Sequence, residues 1–174
     1  MDKKNNITTK ENKKNMDNNK VEFIVGKLLT EKNLTISTAE SCTGGLLAGT
    51  LINYPGISSS FLEGAVTYSN ESKMKRLNVK KETLDKHGAV STETAKEMAE
   101  GIRKSSNTDI GISTTGVAGP GGGTKEKPVG LVYIGINIHD KTLVEKLNCS
   151  GDRQSVRNTV VNKTLDMLKK ELLK

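Results

Sequence analysis

The sequence LTISTAESCTGG, residues 34–45, passes from strand to turn to helix within a dozen residues. Its first part, Leu34 to Thr38, is short and rich in β-branched side chains, which suit a pleated strand. The Ser41-Cys42-Thr43-Gly44-Gly45 turn follows, then an apolar helix from about Gly44 to Asn53, stopped by Pro55-Gly56. A strand that turns through glycine into a helix is the repeating step of a layered α/β domain.

Outward from this step the signals keep alternating. Upstream, Val21, Ile24, Val25, Leu28 and Leu29 recur at helical spacing. Downstream, Ala65–Tyr68 reads as a strand, Asn70–Leu77 as a short helix and Lys80–Lys86 as one or two helical turns closed by His87-Gly88. Ser91 or Thr92 caps a longer helix through about Ser105. Ile110–Thr114 and Leu131–Ile138 read as strands on either side of a glycine-rich loop, and Leu143–Cys149 as a fifth strand. Asp152 caps a last helix whose Val156, Val160, Val161, Leu165, Leu168 and Leu172 share one face. Helices interspersed with five strands predict a three-layer α/β/α sandwich on a parallel or mixed sheet, with strand order open.

The composition fits one such domain. The 174 residues are 33% hydrophobic, with a net charge of +7 and no Trp. Residues 1–18 are Lys- and Asn-rich with almost no large apolar side chain, which predicts a disordered tail ahead of a single domain over 19–174. The first twenty residues carry +3 of the net charge, so the body carries +4, which suits anionic small molecules. Aromatics at 3% are too few to build stacking platforms for single-stranded nucleic acid. Cys42 and Cys149 in a Lys-rich chain without a signal peptide predict a reduced, cytoplasmic protein, and no apolar stretch approaches the roughly 20 residues of a membrane span.

Four stretches could carry chemistry. Ser41 lies where open α/β sheets bind ligands, past the carboxyl end of a strand and beside a helix start whose N–H groups favour developing negative charge. The same pattern also fits a plain helix cap. In Tyr68-Ser69-Asn70-Glu71-Ser72-Lys73, a Ser69 cap puts Lys73 at the fourth helical position. There the helix dipole, Lys75 and Arg76 would lower its pKa, while Glu71 opposes; by composition alone it is a solvated surface lysine. Thr114 to Gly123 (TTGVAGPGGG) can present N–H groups to a phosphate or ribose but fits neither the Walker nor the Rossmann spacing. Arg153, opening the last helix, could clamp a phosphate or simply lie on the surface. His87, His139 and the two cysteines lack the short spacing of metal ligands, and Cys42 reads as a small packed residue.

Taken together, TAESCTGG (38–45), YSNESK (68–73), HGAVS (87–91), GVAGPGGG (116–123), KPVG (127–130) and SGDR (150–153) resemble, in order and spacing, the C-terminal domain family of competence-damage-inducible protein CinA, in its stand-alone form the bacterial nicotinamide mononucleotide deamidase. That resemblance implies hydrolysis of nicotinamide mononucleotide to nicotinic acid mononucleotide and ammonia, in pyridine nucleotide salvage. It implies Ser41 as nucleophile and Lys73 as base, with Tyr68 and Thr115 near the reacting groups. Backbone groups at Thr43, Gly44 and Gly45 would hold the oxyanion. The loop with Gly116, Gly119, Gly121 and Gly122, together with Arg153, would bind the nucleotide. It implies no metal or organic cofactor and a homo-oligomer; longer CinA proteins carry a second, N-terminal domain, for which 174 residues are expected to leave no room. Rival readings are an amidohydrolase for another carboxamide, a non-catalytic nucleotide-binding or protein-interaction domain linked to competence or DNA repair, and a nucleic-acid binder resting on the basic tail.

Overall fold

The computed structural model describes residues 19–174; the tail expected over residues 1–18 lies outside them. In chain order the described elements are α1 (Val21–Glu31), β1 (Ile36–Glu40), α2 (Leu46–Leu51), β2 (Phe61–Val66), α3 (Asn70–Leu77), α4 (Lys81–His87), α5 (Thr92–Ser106), β3 (Ile110–Gly116), β4 (Leu131–Ile138), β5 (Lys141–Asn148) and α6 (Arg153–Leu172). The strands form one mixed sheet in the order β2-β1-β3-β4-β5. β2, β1 and β3 run parallel, and β4 and β5 return antiparallel. The expected α/β sandwich on a mixed five-strand sheet is the observed fold.

Strand parity assigns the two faces. Ile36, Ile110 and Ile112 face α1, α2 and α6, in a core with Val25, Leu29, Leu47, Val160 and Leu165. Ala39 faces the other way, in a second cluster with Leu77, Met98 and Ile102 on α3 and α5. Two glycines seat α5 on this second face: a Cβ on Gly135 would stand 2.6 Å from the Ala95 carbonyl oxygen, and one on Gly111 would collide with that of Ala99. Only a residue without a side chain permits the helix backbone to come so near.

Several boundaries differ from the sequence reading. β1 spans Ile36–Glu40 rather than 34–38, because its parallel neighbours pair with it to Glu40, opposite Val66 and Thr114. α2 is shorter than 44–53, since Gly44 and Gly45 take positive φ in the turn before it. β2 spans Phe61–Val66 rather than 65–68: it is an edge strand whose Leu62, Gly64 and Val66 are exposed, so no continuous apolar run marks it. β5 starts two residues earlier than 143, directly after the His139-Asp140 turn. Ser69 and Asp152 cap α3 and α6 through their side chains, as read, and of the two candidates for α5 Ser91 is the cap.

Candidate active site

Because β1, β2 and β3 are parallel, their carboxyl ends open at one edge of the sheet. The backbone ladder extends one step past β1: the Ser41 N–H donates to the Thr114 carbonyl at 2.9 Å, and the Thr67 N–H to that of Glu40 at 2.9 Å. Alternation then sends successive side chains to opposite faces. Ser41 follows Ala39 towards the α3–α5 layer, as Thr115 follows Ser113, whose hydroxyl donates to Ala95 on α5. Glu40 and Thr114 point to the α2–α6 layer.

Lys73 reaches the same point from α3. Its Nζ lies 3.2 Å from Ser41 Oγ and donates to the carbonyls of Thr67 (2.8 Å) and Tyr68 (3.2 Å). Lys73 is 1% exposed and Ser41 9% exposed. The surface reading of this lysine is therefore overturned. Burial lowers its ammonium from 10.5 to about 8. The largest cause is desolvation, rather than the cations Lys75 and Arg76 that the sequence suggested. Cys42, beside the serine, is held as a thiol: burial pushes it up to about 12.

A cavity of about 190 Å³ opens here, lined by Ser41, Lys73, Ala89, Thr115, Gly116 and Arg153 among others. Thr115 is held in its wall by donating to the Ala89 carbonyl at 2.7 Å. Tyr68, 62% exposed, stands at the mouth, where its phenol oxygen accepts from Arg153 at 3.2 Å. Arg153 also donates to the Gly119 carbonyl at 2.8 Å, which ties the glycine-rich loop to the start of α6. Of that loop, Gly116 and Ala118 line the cavity; Gly119, Gly121 and Gly122 lie outside its wall, the last two exposed to solvent. A larger groove of about 600 Å³, lined by Leu34, Ile138 and Leu172 among others, sits at the opposite end of the sheet and contains no candidate nucleophile.

The serine turn itself departs from the sequence reading. The Thr43 side chain is buried against Thr114 (Oγ1 to Oγ1, 2.7 Å), away from the cavity. The Gly45 N–H is already engaged, donating to Glu40 at 2.9 Å. The Cys42, Thr43 and Gly44 N–H groups have no acceptor on another described residue. Two side chains that hold the turn escaped the sequence reading. Glu40 lies beneath it, and Arg157 on α6 donates twice to the Thr43 carbonyl, at 3.2 and 2.7 Å. An acid ending a strand six residues before a helix start was a usable signal for Glu40; Arg157 had none. Among the described residues no three His, Cys, Asp or Glu side chains gather to hold a metal ion, and no helix is long and apolar enough to cross a membrane.

Comparison with known proteins adds a family. The model of the CinA C-terminal domain matches residues 18–172. A putative competence-damage inducible protein of Clostridium acetobutylicum is 62% identical over 173 residues, 99% of this chain and 42% of that protein. One of Clostridium botulinum strain 657 is 68% identical over 152 residues, 87% of this chain and 37% of that protein. The chain thus spans about two fifths of the length of these curated relatives. Among solved structures, a CinA superfamily protein of Klebsiella pneumoniae superposes with a TM-score of 0.85 at 33% identity, covering 88% of this chain and 96% of that one. A competence/damage inducible protein of Agrobacterium tumefaciens gives 0.83 at 39% identity, with the same coverage.

Proposed function

The chain belongs to the CinA C-terminal domain family, and on that premise we propose that it is a serine–lysine amidohydrolase that deamidates nicotinamide mononucleotide. The observation that carries this reading is the buried Lys73 Nζ 3.2 Å from Ser41 Oγ, at the carboxyl ends of three parallel strands. A neutral amine has two N–H bonds and one lone pair. The Thr67 and Tyr68 carbonyls take the two N–H bonds, so the lone pair is left facing the serine hydroxyl. A lysine lowered to about 8 is neutral in a useful fraction of molecules near neutral pH.

The reaction then balances without an outside reagent other than water. Ser41 Oγ bonds to the carboxamide carbon and its proton passes to Lys73 Nζ; the carbonyl π pair moves onto oxygen. Free N–H groups of the Cys42–Gly44 turn stabilise this oxyanion, a donor of this kind being worth about 3 kcal/mol. Collapse breaks the C–N bond, and Lys73 returns its proton to the departing ammonia. Water, deprotonated by the same amine, splits the ester to free the acid and restore Ser41. A cavity of about 190 Å³ encloses only the reacting end of a nucleotide, since whole-ligand pockets start at roughly 300 Å³. The ribose and phosphate then run over the rim, past Tyr68 and Arg153.

Purified protein given nicotinamide mononucleotide releases ammonia and nicotinic acid mononucleotide in equal amounts. Ammonia from a different carboxamide alone would move the substrate assignment, and ammonia from none would leave a binding module.

A further inference from the structure

Among the described residues, Glu40 is the one buried carboxylate at the site, this chemistry leaves it unused, and its geometry is specific. It is 1% exposed. Its Oε2 accepts the N–H groups of Gly45 (2.9 Å) and Leu47 (3.0 Å), and its Oε1 that of Ala48 (2.8 Å). α2 has six residues and no side-chain cap at Gly45, so neither length nor cap sustains it. The carboxylate supplies what the helix start lacks: acceptors for three otherwise orphaned donors, and negative charge at the positive end of the dipole. The Glu40 backbone is meanwhile clamped in the sheet between Val66 and Thr114.

We propose that Glu40 is a positioning residue for the nucleophile: its carboxylate ties the start of α2 to the sheet, and so fixes the Ser41–Gly45 turn and aims the serine and its neighbouring N–H groups. This deepens the serine–lysine reading and rests on it. Glu40 and Ser41 are adjacent and point to opposite faces, so Glu40 touches neither substrate nor Lys73 and acts through the turn alone. It also fills the place at this helix start that an external anion would take, which leaves the nucleotide phosphate to the rim.

The test compares Glu40→Gln and Glu40→Ala with the wild-type protein. Glu40→Gln keeps the size but sets an NH₂ against N–H donors. A turn displaced by about 1 Å costs on the order of a hundredfold in rate, so kcat falls roughly ten- to a hundredfold while KM moves less than about threefold. Glu40→Ala loses at least as much, and formate, which fits the vacated space, restores kcat with saturation where chloride at equal ionic strength does not. Should Glu40→Ala not fold, Glu40→Gln carries the test. A folded Glu40→Gln with wild-type kcat, or a loss confined to KM, overturns the proposal. Labelling of Ser41 by a fluorophosphonate separates this inference from the substrate assignment. If the wild type is labelled roughly tenfold or more faster than Glu40→Gln yet releases no ammonia from the mononucleotide, the substrate assignment falls and the positioning role stands. Equal labelling rates overturn the positioning role whatever the substrate.

Discussion

Replacing Lys73 with methionine removes the amine and keeps an unbranched side chain in the same buried slot. In the folded chain burial lowers this ammonium from 10.5 to about 8. Below about pH 8 both folded and unfolded chains hold the proton, and the fold carries the full cost of burying the charge, about 3 kcal/mol. As pH rises from about 8 to about 10.5 the folded chain releases the proton first, the unfolded chain binds more, and stability climbs. The variant never bears this cost. It does strand the Thr67 and Tyr68 carbonyls, at about 1–3 kcal/mol each if unsatisfied. The two effects are of similar size and opposite sign, so absolute stability at one pH decides nothing. Their pH dependence does: from about pH 7 to about pH 10 the wild type gains on the order of 2–3 kcal/mol on Lys73→Met. Urea unfolding of both proteins across that range measures it, because titrating groups that do not interact with Lys73 cancel in the difference. Parallel stability curves would refute the desolvated lysine, and with it the case for Lys73 as a base at neutral pH.

Further outcomes follow from the same geometry. The kcat/KM for ammonia release rises with pH and levels off above about 8, tracking neutral Lys73; a profile flat from about pH 6 to about pH 9 contradicts a lysine base. Lys73→Arg stays inactive in the same assay, since a guanidinium cannot accept the proton. Arg153→Ala, which frees Tyr68 and Gly119, raises KM for the mononucleotide about tenfold or more and for the phosphate-free riboside far less, as loss of a charged hydrogen bond requires; equal losses leave Arg153 a structural residue. Gly135→Ala forces the Ala95 carbonyl off the sheet and lowers stability by about 1–3 kcal/mol in urea unfolding.

Much of this fold could be read from local sequence because local rules govern it. α3 and α5 begin at side-chain caps, Ser69 and Ser91, whose partners lie three residues on, and α6 shows its apolar face at helical spacing. What could not be read depends on neighbours distant in sequence. β1 runs on to Glu40 because β2 and β3 pair with it there, and a buried acid makes sense only once three helix N–H groups are seen above it. β2 alternates exposed Leu62, Gly64 and Val66 because it is an edge, and strand order cannot be obtained from spacing. At the site, the pairing of Ser41 with Lys73 came from the family resemblance alone, since residue by residue they read equally as a helix cap and a surface lysine. The physical reason the lysine is lowered was not legible: the sequence offered charged neighbours, whereas the fold supplies burial. Arg157 is an ordinary helical arginine until the Thr43 carbonyl is brought to it across the fold.

If Ser41 is the nucleophile, the rate of ammonia release from nicotinamide mononucleotide by Ser41→Ala is the decisive measurement. The substitution removes one hydroxyl from a turn held by Glu40 and Arg157, so the variant folds and its circular dichroism and unfolding match the wild type. Covalent attack by the serine predicts a kcat lower by on the order of a thousandfold or more, the scale of losing a nucleophile. Turnover within about tenfold of wild type in that folded variant would contradict it and assign the attack to water.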